Sequence, residues 1–410
     1  WAGSTNITTL GTIGTGTWQA TPIATAYIAD DAVTAAKIAS GLKLVTFDGQ
    51  GNTVVGNTAG DSFTGTDALY NSLFGEAAGT AITTGDNNVG IGSQSIMATT
   101  TGSSNTAVGH QTLKANTTGS ENTAVGKDSL KLNTTGNYNV AVGNDAMLNN
   151  LASHCTAIGY KALTTNTTGD ANTALGLRSL DLNTTGSNST AVGYYALRAS
   201  TTANSNVAIG HNCLTANTTG EQGVGVGQQA LASNTTGNFN TAVGRSALNA
   251  NTTASNNTAV GYFALDTNTT GANNVAIGSL ALDANTTGSF NYALGKDALG
   301  ANTTGSVNVA IANALTSNTT GESNVSVGSN SLGDNTTGSQ NVAVGRQALG
   351  DNTTANNNTA VGYNALLRNT TGTQNTAVGS AALDAVLTGN DNTALGYIAL
   401  SNALGSQNTA

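Results

Sequence analysis

Short runs of alternating apolar and polar positions recur at every seventeenth position along most of this 410-residue chain. The clearest unit begins with Asn105-Thr-Ala-Val-Gly109, passes two variable positions and Leu113, and closes with Asn116-Thr-Thr-Gly119. A unit of this length is too short for a pair of helices and is typical of one coil of a narrow β-solenoid. The pattern therefore predicts an all-β chain, a parallel β-solenoid or β-roll of about twenty 17-residue coils.

The glycine that ends the first motif marks the coils. Up to Gly295 its spacing is seventeen, with a single spacing of sixteen between Gly143 and Gly159; Ala312 then replaces it once before the series continues. At ~4.8 Å per coil, an array of this size predicts a rod on the order of 100 Å long.

Two apolar columns are expected to fill the interior of the coil. One stands directly before the motif glycine and holds only valine, isoleucine or leucine, and the other lies four residues after it and is nearly always leucine. The predicted core residues are Val108, Leu113, Val125, Leu130, Val142, Ile158, Leu163, Ile209 and Val243. Thr106, two positions before Val108, shares its face, because alternate side chains of a strand point the same way.

The residue between Thr106 and Val108 belongs to a column that is restricted to small side chains. Its members include Ala107, Ala124 and Ala141, and its late exceptions, Gly225 and Ser326, are also small. We interpret this column as a packing face that meets a neighbouring chain. With both faces of the strand covered, the simplest arrangement is a symmetric oligomer, and we expect a parallel homotrimer.

The segment from Asn116 to Gly119, and its equivalent from Asn133 to Gly136, is predicted to turn the chain back toward the next strand. Asparagine and glycine tolerate the left-handed backbone that sharp turns use. The asparagines that begin each strand, such as Asn105, stack on one another in a solenoid, so their amides are expected to hydrogen-bond along the stack.

The repeat divides the chain into two parts. Residues 1–50 break the pattern and are predicted to form a connector module with short strands and a short helix. Residues 51–410 form the repeat shaft, and the chain stops at Asn408-Thr-Ala410, the start of a further unit, so we expect the array to continue.

Composition excludes several classes of function. Charged residues make up only 8% of the chain, against about 25% in ordinary globular domains. The 12 lysines and arginines stand singly and the net charge is −9, which argues against nucleic-acid binding. No apolar run approaches the ~18 residues of a membrane span.

We expect no catalytic, cofactor or metal site. His110 and His211 lie six coils apart, and the carboxylates fall at variable corners. Asp266 and Asp283, in one column on adjacent coils, are near enough for paired acid catalysis, but solvated corner charges explain them equally well. Cys155 and Cys213 occupy different phases of the repeat and are interpreted as small apolar fillers.

Two further readings of the threonine-rich turn remain as alternatives. Asn-Thr-Thr matches the N-glycosylation sequon, although the same residues serve the turn. Threonine arrays can also bind ice, but such faces present two columns with one residue between them, whereas Thr117 and Thr118 are adjacent and should point apart.

The motifs resemble those of two families of trimeric fibrous proteins. Asn206-Val-Ala-Ile-Gly210 and Asn274-Val-Ala-Ile-Gly278 are similar to repeats in the head domains of trimeric autotransporter adhesins, which are parallel β-rolls. The longer Asn-Thr-Ala-Val-Gly and Asn-Thr-Thr-Gly unit, with Ile7-Thr-Thr-Leu-Gly-Thr-Ile-Gly-Thr-Gly-Thr-Trp18, more closely resembles phage tail-fibre proteins, especially those of marine and cyanobacterial phages. The resemblance implies a homotrimeric fibre.

The sequence thus predicts a structural fibre shaft, most simply of a viral tail fibre that positions a distal receptor-binding tip, located in the virion or outside the cell. A bacterial surface adhesin or extracellular filament is the alternative, with an ice-binding solenoid behind it. The corner positions after each glycine are predicted to vary freely and to carry any weak contact with a host glycan: Lys127, Asp128, Tyr160, Lys161, Tyr194, Tyr195 and Arg245.

Overall fold

A computed structural model of the chain describes residues 49–63 and 67–410. These residues contain 21 strands of three residues each, joined by turns and bends, and no helix. The strands are β1 Thr53–Val55, β2 Ser72–Phe74, β3 Val89–Ile91, β4 Thr106–Val108, β5 Thr123–Val125, β6 Val140–Val142, β7 Thr156–Ile158, β8 Thr173–Leu175, β9 Thr190–Val192, β10 Val207–Ile209, β11 Val224–Val226, β12 Thr241–Val243, β13 Thr258–Val260, β14 Val275–Ile277, β15 Tyr292–Leu294, β16 Val309–Ile311, β17 Val325–Val327, β18 Val342–Val344, β19 Thr359–Val361, β20 Thr376–Val378 and β21 Thr393–Leu395.

Each strand pairs in parallel with the strands of the preceding and following coils. Thr106, Ala107 and Val108 lie opposite Thr123, Ala124 and Val125, so identical columns stack at every level. Backbone hydrogen bonds between coils continue beyond the strands, for example from the amide of Leu113 to the carbonyl of Ser129 at 3.0 Å. The predicted parallel β-solenoid is therefore confirmed.

The side of each strand that faces the interior is the opposite of the predicted one. The middle residue of each strand is buried, and in 16 of the 21 strands it is alanine. The residues on either side of it point outward: Val108, Val142 and Thr106 are half-buried, and Val125, Ile158, Ile209 and Val243 are exposed. The prediction that the valine column fills the interior was wrong, and so was the interpretation of Ala107, Ala124 and Ala141 as an outer packing face.

The reason for this reversal is the narrowness of the coil. The leucine column, including Leu113, Leu130 and Leu163, fills the interior and is fully buried. The strand position that faces this leucine column has room only for a small side chain. At Gly225, which belongs to the alanine column, an added Cβ would already lie 3.2 Å from Leu214 Cδ1. The small column is confined by its own chain and not by a neighbour.

The chain bends at Thr117 and Thr118, inside the predicted turn, but the left-handed residues lie outside this segment. Neither Asn116 nor Gly119 has a positive φ; instead Gln111 and Leu113, in the segment between glycine and leucine, have φ values of 55° and 52°. Gly109 has a φ of 139°, and a Cβ there would lie 2.7 Å from the carbonyl oxygen of Gly126 on the next coil. A third left-handed residue follows the turn in each coil, as at Glu121 with a φ of 59°, so each coil has two left-handed residues at the leucine and one before the next strand.

Two ladders of buried asparagines run through the interior. Asn105 donates from Nδ2 to Asn88 Oδ1 at 3.0 Å and to the carbonyl of Gly119 at 2.9 Å, which confirms the predicted stacking of this column. The turn asparagines form a second ladder, in which Asn133 Nδ2 donates to Asn116 Oδ1 at 3.0 Å. Buried amides that are bonded in this way avoid the cost of an unsatisfied polar group, about 1–3 kcal/mol each.

Two of the coils between consecutive strands are one residue shorter than their neighbours and still keep the register of the sheet. Thr156 pairs with Val140 and Val325 with Val309, although one residue is missing from the turn in the first case and from the corner in the second. The stacked columns therefore fix the register, and the connecting segments absorb the deletions. The predicted connector, residues 1–50, lies outside the described residues except for its last two.

Candidate functional site

The outer face of the sheet is formed by the first and third residues of the 21 strands, and we call it the sheet face. Its first column holds eleven threonines, eight valines, one serine and one tyrosine, and its second column holds only valine, isoleucine, leucine or phenylalanine. No charged residue occurs among these 42 side chains. The threonine pairs of the turn, such as Thr117 and Thr118, are also uncharged, but only the sheet face carries a continuous apolar column.

The sheet face is accessible in the single chain. In its second column, Leu175 is 43% exposed and Ile311 is 38% exposed. Tyr292 occupies the first column of β15, where it lines a shallow apolar depression of about 210 Å³ together with Val275 and Val309. Large contiguous apolar surfaces on soluble proteins mark interaction sites. The face is thus a candidate interface.

A second candidate surface is the corner, which we define as the two positions that follow each motif glycine. The structure places the predicted corner residues there, and several of them pair locally. Asp128 forms an ion pair with Lys131, whose Nζ lies 3.0 Å from Oδ1, and its Oδ2 lies 3.8 Å from Lys127 Nζ. In contrast to the sheet face, the corner mixes charged, aromatic and small polar residues.

The densest group on the corner surrounds Tyr194 and Tyr195, whose ring centroids lie 4.0 Å apart. Arg198 lies over the Tyr195 ring at 4.9 Å, and the Tyr194 ring stacks on His211 at 5.2 Å. The hydrogen bond between the two hydroxyls raises the pKa of Tyr194 and lowers that of Tyr195. Because Tyr194 is exposed and Tyr195 only half-buried, this group shows no feature of a buried acid–base site.

The acidic pair Asp266 and Asp283 lies at partly buried positions on adjacent coils. Burial raises the pKa of both carboxyls, and the neighbouring Asp297 and Asp266 carboxylates add to the effect on Asp283. Residues 49–63 and 67–410 contain no group of three or more His, Cys, Asp or Glu side chains that could hold a metal ion. The arrangement therefore supplies two carboxyls with raised pKa values, and Asp297 is a third acid beside Asp283.

The two cysteines are buried free thiols in different columns. Cys155 takes the place of an asparagine in the first ladder, and its Sγ donates to the carbonyl of Gly169 at 3.4 Å. Burial raises the pKa of Cys155 to about 11 and that of Cys213 to about 12. Thiols held in the protonated form are poor nucleophiles.

The Asn-Thr-Thr sequons of the turn do not present their asparagines to solvent. Asn116 is fully buried and donates from Nδ2 to the carbonyl of Gly119 at 2.9 Å, as do its equivalents Asn183 and Asn285 to their own turn residues. An amide nitrogen in this position is inaccessible to a transferase in the folded chain. The sequon match therefore reflects the requirement for a buried amide.

A longer period on the corner escaped the sequence analysis. Similar corner residues recur every six coils: Tyr160, Tyr262 and Tyr363 are separated by 102 and 101 residues, and Arg245 and Arg346 by 101. The turn glycine is replaced by alanine with the same spacing, at Ala152, Ala254 and Ala355, and once between them, at Ala203. Comparison of whole coils at a spacing of six, instead of neighbouring coils, would have revealed this period.

No protein-family model and no curated protein matches the chain. Within the described part of the chain, no helix is long and apolar enough to cross a membrane.

Proposed function

We propose that the chain is the shaft of a homotrimeric fibre whose protomers pack through the sheet face. The observation that carries this proposal is the second column of the sheet face, which holds only valine, isoleucine, leucine or phenylalanine in all 21 strands, although several of these side chains are exposed in the single chain. Because the inner side of each strand is already filled by its own coil, the exclusion of polar groups from this outer column calls for a partner. The same columns on a second copy supply a surface of equal length and period.

The size of the sheet face is adequate for a stable assembly. Twenty steps of ~4.8 Å and a width of about 10 Å give roughly 1,000 Å² per protomer. Two neighbours share this area in a trimer, so each pair of protomers buries roughly 1,000 Å² in total, the lower bound of a specific interface. An association of parallel chains in register also keeps each coil opposite its own equivalent, as closed rotational symmetry requires.

The biological role that we propose is host attachment by a viral tail fibre, with the shaft supplying length and stiffness to a tip that recognises the receptor. The resemblance of the Asn-Thr-Ala-Val-Gly and Asn-Thr-Thr-Gly unit to tail-fibre repeats supports this role, and it implies a location in the virion. A shaft of this kind needs no catalytic residues. A bacterial adhesin filament has the same architecture and is the alternative identity.

The test is the solution mass of the full chain by light scattering, combined with electron-microscope images of the same sample. We expect a mass of three chains and rods with a shaft on the order of 100 Å. A stable monomer at micromolar concentration would contradict the proposal, because the sheet face would then be an open surface.

One observation favours ice binding as a second candidate. Thr241 and Val243 point outward with one residue between them, and the same geometry repeats on every strand, unlike that of Thr117 and Thr118. Only one of the two columns contains threonine, however, and it does so in eleven of 21 strands. Thermal hysteresis in a monomeric sample would establish this function instead of the trimeric shaft.

A further inference from the structure

The six-coil period repeats a particular combination of side chains on the corner. Each of the three equivalent tyrosines has a cation over its ring: Lys161 Nζ lies 5.4 Å from the centroid of Tyr160. At the other two levels the cation is an arginine one coil earlier, and Arg245 and Arg346 lie 5.8 Å from Tyr262 and Tyr363. Arg245 also lies 5.6 Å from the Phe263 ring, which meets the Tyr262 ring edge-on at 4.4 Å. The residue type and the position of the cation thus differ between the three levels, but a cation lies near the tyrosine ring at each of them.

The two arginines are not neutralised by the chain. Among the described residues, neither Arg245 nor Arg346 forms an ion pair, whereas Arg178 and Arg198 both approach Asp181, at 3.7 and 4.0 Å. A planar guanidinium with free donors is suited to bind a carboxylate or sulfate through two parallel hydrogen bonds. Arg245 and Arg346 are therefore available to an acidic group from another molecule.

The tyrosine rings beside these arginines are open to solvent. Tyr262 is 47% exposed and Tyr363 is 48% exposed. On the following coil the same column holds Ser279 and Ser380, whose side chains are too short to cover a ring. An uncovered aromatic face is an apolar platform of about the size of a sugar ring, and its neighbouring donors can fix the orientation of a bound group.

We propose that Tyr262 with Arg245, and Tyr363 with Arg346, are binding positions for a pyranose ring that carries an acidic group. The ring packs on the tyrosine, and the guanidinium pairs with the carboxylate or sulfate. Tyr160 with Lys161 is a third, divergent copy. Six coils at ~4.8 Å place successive positions about 29 Å apart along the rod, so that one polysaccharide chain or surface engages several of them.

This inference deepens the proposed function, since a shaft that contacts an acidic surface polysaccharide along its length assists attachment before the tip binds. The role in attachment rests on the proposed fibre shaft, whereas the binding itself does not, because each position lies on the corner of a single chain. The solution mass and the binding measurement therefore fail or succeed independently.

The experiment measures binding of the full chain to immobilised polygalacturonate, dextran sulfate and neutral dextran by surface plasmon resonance. We expect the wild-type chain to bind at least one of the two acidic polymers and not neutral dextran. Tyr262→Ser with Tyr363→Ser should weaken this binding by about tenfold or more, because loss of two positions removes most of the avidity. Arg245→Ser with Arg346→Ser should have a similar effect.

Serine is a suitable replacement because the same column already holds Ser93, Ser279, Ser329 and Ser380. The matched control is Phe239→Ser with Phe290→Ser, which removes two exposed aromatic rings from a different column and should leave binding unchanged. The acidic polymer that binds identifies the acid group as a carboxylate or a sulfate.

Three results would overturn the proposal. The first is the absence of binding by the wild-type chain to both acidic polymers, and the second is equal binding to neutral dextran. The third is a double tyrosine variant that binds as tightly as the wild-type chain but has a lower melting temperature. This would show that the pairs of tyrosine and cation only stabilise the corner.

Discussion

The two sides of each strand obey different restrictions. The inner side is restricted in size: between β3 and β21 it holds only alanine, glycine or serine. The outer side is restricted in polarity: its second column ranges from valine to phenylalanine but never carries a polar group. A column restricted to small residues indicates close packing, here against the leucine of the same coil. A column of apolar residues of different sizes indicates a surface that is removed from water but packed less tightly.

Coil 341–357 offers a matched set of substitutions to test this difference, and the largest effect is expected on the sheet face. Val344→Asp places a charge in the proposed interface on every protomer, where desolvation of an unpaired ion costs several kcal/mol. We expect the mass measured by light scattering to fall from three chains to one. Gln347→Asp on the corner is the control, since Asp128, Asp145 and Asp297 already occupy its column.

The next largest effect is expected in the interior. Leu349 is fully buried, and Leu349→Ala should lower the free energy of unfolding by about 2–5 kcal/mol through lost burial and a cavity. Denaturant unfolding of the chain measures this change. A loss below about 1 kcal/mol would contradict the assignment of the leucine column to the core.

A larger apolar side chain on the inner side tests whether side-chain size, and not polarity, is restricted there. Ala343→Val adds two methyl groups beside the leucine and should destabilise the coil by about 1–3 kcal/mol in denaturant unfolding. Val344→Ile adds one methylene to the outer side, where Ile209 and Ile277 already stand, and should change stability much less. Equal losses for the two variants would mean that both sides are tightly packed.

The smallest effect is expected in the mixed column of the sheet face. Val342→Thr exchanges two residues that the column already alternates, eight valines against eleven threonines, so the mass and the midpoint of unfolding should remain nearly unchanged. A loss of the trimer would show that this column is packed as closely as the interior.

The sequence was sufficient for the architecture of the shaft. The seventeen-residue period, the glycine that marks each coil and the stacked asparagines together allow only a parallel solenoid, because each column must meet its own equivalent at every level. The same logic identified Leu113 and Leu130 as a buried column. At the corner, the first residues, such as Lys127 and Arg245, are exposed, whereas the second ones, such as Asp128 and Lys161, are half-buried.

Only the tertiary structure decided which side of the strand faces inward. Alternation places Thr106 and Val108 on one side of the strand and Asn105 and Ala107 on the other. It does not determine which side is buried, because the side-chain pattern has a period of two whichever side faces the interior. The positive φ at Gln111 and Leu113 swings the leucine toward the alanine side and fills the narrow interior. The valines are then left on the outside, where another chain must cover them if they are to be removed from water.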